Sequence, residues 1–314
     1  MIDAVIDAVT ADVISLLFTA FGIGIVVGLT GMGGGALMTP ALIFLGVPPS
    51  SAVANDLVAA AVNKSTGAAV HWREGSPHRG IATWLIAGSV PMAFAGAFIV
   101  KAVGNDQDQE AFLKAAIGIT LLVAATTYAF RVYVEMRRKA AGMVYPEGDP
   151  PVRPVPTLLI GVVGGLLVGI TSVGSGSVMM VVLLVLYPAL AGVRLVGTDL
   201  VQAVPLVLAA AISHVIVTGV DWSVLIPLVV GGTPGTFLGA RLANRVSQSV
   251  VRRGIVLVLF LTGLSMLKVP PWGVALAAAL GLVVAPLVWR MLRNSVDRQR
   301  KSRQKLAPEG DSKT

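Results

Sequence analysis

Apolar runs and short polar breaks alternate along the whole chain. Runs lie near 13–46, 51–72, 81–101 and 111–134 in the first half, and near 157–190, 195–217, 222–242 and 250–268 in the second. One further run covers about 271–292. A helix needs about 20 apolar residues to cross the hydrocarbon of a bilayer, and most of these runs meet that length. The pattern predicts an all-α integral membrane protein of about 8–10 membrane segments plus a C-terminal span. The polar breaks divide it into a first transmembrane repeat (1–134), a cytoplasmic linker (135–156) and a second transmembrane repeat (157–268). An extra C-terminal span (269–292) and a basic cytoplasmic tail (293–314), expected to be disordered, complete the chain.

The opening run of each half is too long for one crossing. No charged residue occurs between Asp12 and Asp56 or between Arg153 and Arg194. As continuous helix, each stretch would reach roughly 60 Å, about twice the hydrocarbon thickness. Glycines interrupt both near the middle, so each is expected to be two helical pieces joined at a break, as a hairpin or re-entrant pair. The two breaks also match in sequence. Gly24, Val27, Gly28, Thr30, Gly33, Gly35 and Met38 recur 141 residues later as Gly165, Val168, Gly169, Thr171, Gly174, Gly176 and Met179. Further along the offset is 143, pairing Asp56-Leu57-Val58 with Asp199-Leu200-Val201, His71 with His214, and Pro91, Phe94 and Gly96 with Pro234, Phe237 and Gly239. A two-fold repeat with interrupted apolar helices is the pattern of a secondary transporter.

Composition agrees with a membrane setting. Hydrophobic residues form 55% of the chain, charged residues 13%, and mean hydropathy is +0.83, too little charge to cover a soluble surface of this size. The net charge of +8 does not point to nucleic acid, because lysine and arginine sit in short segments between or after apolar runs, at 137–139, 252–253 and 298–305. If each opening run contributes an even number of crossings, these basic segments fall on one side, the cytoplasm. The acidic N-terminus and the 105–110 segment then fall outside. Each half has an odd number of crossings on that count, so the repeats are expected to be inverted. Cysteine is absent, which removes disulfide and thiolate chemistry. With Asp3, Asp7 and Asp12 ahead of the first run, a cleaved signal peptide is not expected.

Candidate chemistry centres on the duplicated breaks. Backbone amides at a helix N-terminus carry partial positive charge, and glycine lets an anion approach them. Gly33, Gly34 and Gly35 open one piece, and Gly174, Ser175 and Gly176 open its counterpart. Thr30, Thr171, Ser172, Ser175 and Ser177 add hydroxyls. The competing explanation is close helix packing through small residues. Asp56 and Asp199 lie a few residues into the helices that follow. A carboxylate within the bilayer is costly and points to coupling or gating, although both also suit a first-turn aspartate beside the capping residues Asn55 and Thr198. Lys64 has no cationic counterpart, position 207 being Val, and is a candidate anion contact or a snorkelling lysine. Gln202, one turn after Asp199, can face the same space. His71 and His214 recur near helix ends as gating or packing residues, and 143 residues apart they make no metal site. The glycine runs lack the strand context of a Rossmann fingerprint and the Lys-Ser/Thr of a P-loop, so neither an enzyme nor a bound cofactor is expected.

Several of these segments resemble the sulfite exporter TauE/SafE family. In the first half they are Gly28 to Gly35, Asn55-Asp56-Leu57 with Lys64 and His71, and Gly88-Ser89-Val90-Pro91. In the second they are Val193 to Leu200, His214, Val220-Asp221-Trp222 and Gly231 to Gly235. Asn55 stands where the family more often has threonine, and Ser172 and Ser175 where glycine is frequent. The resemblance implies a multi-pass permease of the bacterial cytoplasmic (inner) membrane for a small sulfur-containing anion such as sulfite, sulfoacetate or another organosulfonate.

The sequence-level expectation is therefore export of a small anionic substrate by alternating access around the two breaks. Thr30, Gly33, Gly34, Gly35, Asn55, Lys64, Thr171, Ser172, Gly174, Ser175, Gly176, Thr198 and Gln202 would contact substrate, and Asp56, Asp199, His71 and His214 would couple or gate. The lipid bilayer is the expected surrounding, nucleic acid is not an expected partner, and a homo-oligomer stays open. A passive anion channel, a bundle that only anchors a membrane enzyme, and a cation or proton-coupled carrier centred on the two aspartates are the competing readings.

Overall fold

The computed structural model describes residues 2–30, 34–73, 77–140, 150–174, 176, 178–190, 192–243, 245–246 and 248–282. Side chains are described within these except at 2–12, 66–73, 139–140, 192–193 and 248–250. Every regular element among them is a helix: α1 (Ile2–Thr30), α2 (Gly35–Phe44), α3 (Pro49–Arg73), α4 (Arg79–Lys101), α5 (Asp106–Ala140), α6 (Pro154–Thr171), α7 (Val178–Leu186), α8 (Gly192–Val217), α9 (Trp222–Leu242), α10 (Gln248–Met266) and α11 (Pro271–Leu282). Six of them, α1, α4, α5, α6, α8 and α9, are long and apolar enough to cross a membrane. At 10 and 9 residues, α2 and α7 reach only about half the hydrocarbon thickness. They follow the glycine breaks, so each uncharged opening run is one long helix followed by one half-length helix.

Local chemistry sets several boundaries. Pro154 opens α6, where its missing N–H costs nothing. The Asp221 carboxylate accepts from Ser223 N at 3.0 Å and caps α9, while Asp106 and Asp108 oppose the dipole at the start of α5. The end of α6 is capped by Ser172 in the left-handed region (φ 61°), and Gly174 follows at φ 120°, a conformation that suits glycine alone.

The halves pack across each other. The most extensive helix pairs are α1 on α9 and α4 on α6, followed by α4 on α8, α3 on α8 and α5 on α10. Counting α6 as the partner of α1 and α9 as the partner of α4, the first two pairs are the same contact made twice. Their registers agree residue by residue. A Cβ on Gly24 would stand 2.5 Å from the Gly232 carbonyl oxygen, and one on Gly165 2.3 Å from that of Ser89. One turn on, Gly28 meets the Thr236 carbonyl at 2.1 Å and Gly169 that of Ala93 at 2.5 Å. Ser89 and Ala93 each stand 143 residues before Gly232 and Thr236, as the repeat requires. Real side chains do not approach so closely, so these glycines set the helix separation.

Polar and apolar residues are distributed inside out relative to a soluble domain. Asn55, Asp56, Thr198, Asp199, Gln202 and His214 are buried, whereas Phe18 is 68% exposed and Ile216, Phe237 and Leu282 also face outward. Such an exterior is stable only against lipid, and with helices satisfying their own backbone this is a multi-pass integral membrane protein. At one end of the bundle Glu135 of α5 accepts from Arg131 Nε and from Arg252 Nη1 of α10, both at 2.8 Å. Partly exposed pairs of this kind contribute about 0–1 kcal/mol each, but they fix how α5 and α10 meet.

Candidate functional site

Where α1, α2, α3, α8 and α9 converge they enclose a cavity of about 380 Å³. Its wall is apolar except for a few groups: Asp56, Asn63 and Lys64 from α3, Asp199 from α8, Thr236 from α9, and the backbone at Gly34 and Gly176. Asp56 and Lys64 are eight residues apart, two helical turns, and so share one face of α3. The α2 piece begins at Gly35 after Gly34, and the α7 piece begins two residues after Gly176. The first N–H groups of a helix lack intrahelical acceptors, and each terminus acts as roughly half a positive charge. Gly34 and Gly176, beside the starts of α2 and α7, thus line the cavity that holds the three ionisable side chains, while the Val178 and Met179 N–H groups at the start of α7 turn back to the Gly174 carbonyl. An apolar cavity of about 580 Å³ between α1, α2 and α10 has no ionisable side chain in its lining and offers an anion nothing.

The two carboxylates are held differently. Asp56 Oδ2 accepts from the Thr39 hydroxyl of α2 and from the Ser172 hydroxyl at the end of α6, each at 2.7 Å. One tie comes from each half of the chain. Asp199 Oδ1 accepts from Gln202 Nε2 at 3.1 Å, a group on its own helix. The Lys64 charge acts on both, Asp199 and Asp56. With all three ionised, the cavity carries one net negative charge from its side chains.

The expected site residues separate into those at the cavity and those that hold it together. Gly34, Asp56, Lys64, Gly176 and Asp199 line it. Gly35 does not. A Cβ there would lie 2.0 Å from the Ser172 carbonyl oxygen, so Gly35 is where the two breaks touch. Thr30 donates back to Val26 O at 2.8 Å, and Thr171 donates to Leu167 O at 2.6 Å while accepting from Val173 N at 3.2 Å. Asn55 donates to Ser51 O at 2.8 Å within its own helix. Thr198 accepts from His78 N at 2.8 Å and fastens the segment before α4 to α8, and Gln202 also donates to Met179 Sδ at 3.2 Å. His214 bonds the Gly169 carbonyl at 2.7 Å through Nε2, which must carry the proton because a carbonyl only accepts. It thereby pins α8 to the glycine face of α6. Gly33 and Ser175, with Ser177, lie outside the described residues, as does the side chain of His71. Among the described residues no group of three His, Cys, Asp or Glu gathers as a metal would require.

Two residues at this centre escaped the sequence-level reading as site members. Thr39 is the lone hydroxyl in an otherwise apolar α2, next to a helix-interior proline, and that isolation was the available signal. His78 caps α4, its Nδ1 accepting from Ile81 N at 3.2 Å, and its distance in sequence from Thr198 hides their contact.

The sulfite exporter TauE/SafE family model matches residues 16–266. The probable membrane transporter protein YjnA of Bacillus subtilis (strain 168) is 34% identical over 256 residues, covering 81% of this chain and 99% of that protein. No solved structure gives a significant match.

Proposed function

The chain belongs to the sulfite exporter TauE/SafE family, and from that premise we propose that it carries a small sulfur-containing oxyanion, such as sulfite, sulfoacetate or another organosulfonate, through the cavity between its halves. That the chain is a multi-pass membrane transporter rests on that membership and on its likeness to YjnA. The observation that carries the choice of an oxyanion is the meeting of Gly34 and Gly176, beside two half-helix starts, with Lys64 in one half-open cavity. An oxyanion is recognised by donors arranged around it, and the backbone at both breaks together with an ammonium supplies them at low solvation.

Alternating access is the mechanism we assign. Reciprocal packing of α1 on α9 and α4 on α6 supports two rocking units around a shared site, and inverted repeats, as the loop charges imply, make the inward and outward forms near-equivalent. The N-terminus is then outside and the C-terminus in the cytoplasm of a bacterial inner membrane. The direction, export, follows the description of the family. Replacing Gly34 by leucine would put a side chain into the cavity where the backbone now faces open space. Gly34→Leu and Ser175→Leu should each abolish uptake of labelled sulfite into inverted vesicles while folded protein stays in the membrane. Transport at the wild-type rate would overturn the assignment.

A further inference from the structure

The two aspartates of the cavity are equivalent in sequence and unlike in surroundings, and three observations say how their work is divided. First, Asp56 is tied on one oxygen by two hydroxyls from different halves of the chain, both at 2.7 Å. These ties do not recur. Met180 and Met179 occupy the region of α7 that matches Thr39 and Met38 of α2, and Gly31 stands where the repeat would place a partner for Ser172. Second, Asp199 is held by one amide of its own helix, at 3.1 Å. Third, the ammonium that balances them comes from the first half alone, since Val207 stands at the position matching Lys64 and is buried. A carboxylate fastened by two other elements cannot change partner without opening the contact between the breaks. A carboxylate fastened only to its own helix can.

We infer that Asp56 is a fixed anchor, that Asp199 and the substrate take turns as the counter-ion of Lys64, and that one proton on Asp199 accompanies each anion bound. This rests on the transport reading above and adds its stoichiometry. In the empty carrier Lys64 faces ionised Asp199. On loading, a proton from the aqueous phase binds an Asp199 carboxylate oxygen, the anion occupies Lys64, and on release to the other side both leave together. The side-chain charge of the cavity plus a singly charged substrate is then the same in the loaded and empty forms. Both must cross the membrane for turnover, and neither pays a charge penalty the other avoids. Without the proton, the substrate would be a third negative charge against one ammonium.

Asp199 is the group that titrates in this scheme, and its charged surroundings are limited. Lys64 and Asp56 face it from α3 and Arg131 acts from α5. His78 stands at the start of α4 beside Thr198, and Arg194 and His214 lie on α8 itself. The described residues of α6 and α7 contribute no ionisable side chain.

The test uses the full chain in liposomes loaded with a pH-sensitive dye, with labelled sulfite and labelled methanesulfonate as probes. Methanesulfonate keeps one charge across the pH range, so a pH effect on it belongs to the protein. The wild type should accumulate anion in response to a proton gradient and move about one proton per methanesulfonate. Asp199→Asn should lose gradient-driven accumulation by at least about tenfold, and its residual exchange should be insensitive to pH. Asp56→Asn should stay proton-coupled. Should that variant fail to fold, Thr39→Val and Ser172→Ala remove the ties and keep the carboxylate, and both should remain coupled. Flux in the wild type without proton movement would overturn the inference and leave the transport reading standing, as would an Asp199→Asn protein that still follows the gradient, or loss of coupling in the anchor variants. Failure of the wild type to carry either anion would overturn both.

Discussion

Asp56 and Asp199 stand 143 residues apart at matching places in the repeat, on matching helices, and line the same cavity. Around Asp56 the chain closes in, with α2 and the end of α6 each donating a hydroxyl. Asp199 is equally buried, but its hydrogen bond comes from Gln202 of its own helix. Duplication supplied two copies of a carboxylate, and the neighbours made one an internal tie and left the other for exchange. The lesson is that a repeat fixes where a side chain stands, while its role is set by which hydrogen-bond donors the other half brings to it.

The sharpest way to break that comparison is to remove the cation both carboxylates share. Lys64→Met keeps the length of the side chain and removes its charge, so anion transport should fall by about ten- to a hundredfold or more, the scale of a charge-assisted contact. Uptake of labelled sulfite at matched protein levels measures it, and a near-wild-type rate would mean that the anion does not use Lys64.

A smaller effect, on folding, separates two adjacent glycines. Gly35→Ala drives a methyl against the Ser172 carbonyl, 2.0 Å away, and should destabilise by about 1–3 kcal/mol because backbone on both sides must move. Gly34→Ala, whose nearest neighbour would be 4.0 Å away, should leave thermal stability in detergent unchanged. Equal losses at both positions would refute the contact between the breaks.

Next come the ties themselves. Thr39→Val should cost about 1–2 kcal/mol, since Asp56 loses one buried donor and keeps the other. Gln202→Leu should cost no more than that, because its bond to Asp199 is longer and lies within one helix, and its other is a weak contact to the Met179 thioether. Reversed rank in unfolding measurements would show that Asp199 is the better-held carboxylate. The smallest effect is expected at His214→Leu, where one bond to the Gly169 carbonyl is lost, about 0.5–1 kcal/mol in a membrane interior. A loss of several kcal/mol there would move the centre of stability from the breaks to the α6–α8 contact.

Much of this arrangement was legible along the chain. Charge is so rare in apolar runs that Asp56, Lys64 and Asp199 identified themselves, and the uncharged glycine-broken runs announced the half-length helices α2 and α7. The glycine motif was harder, because two demands overlap in it. Gly165 and Gly169 serve helix contact, Gly24 and Gly28 serve it and line the cavity as well, Gly34 and Gly176 line the cavity alone, and Gly35 meets Ser172. Spacing cannot tell these apart, since all follow from having no side chain. Hydroxyls misled for a related reason. In a membrane helix a threonine can bond its own backbone, as Thr30 and Thr171 do, or reach across, as Thr39 does, and both look alike in sequence.

What the amino-acid sequence determined by itself is the solvent and the plan: an all-helical chain in lipid, with a motif used twice, because hydrophobic length and charge distribution are local quantities. What only the tertiary structure decided is pairing. That α1 lies on α9 and α4 on α6, that Gly35 meets Ser172, and that Ser172 reaches Asp56 from 116 residues away all depend on shape matching between segments far apart. Such contacts are set by where backbones approach closely enough to touch, and no periodicity in one segment records the surface of another.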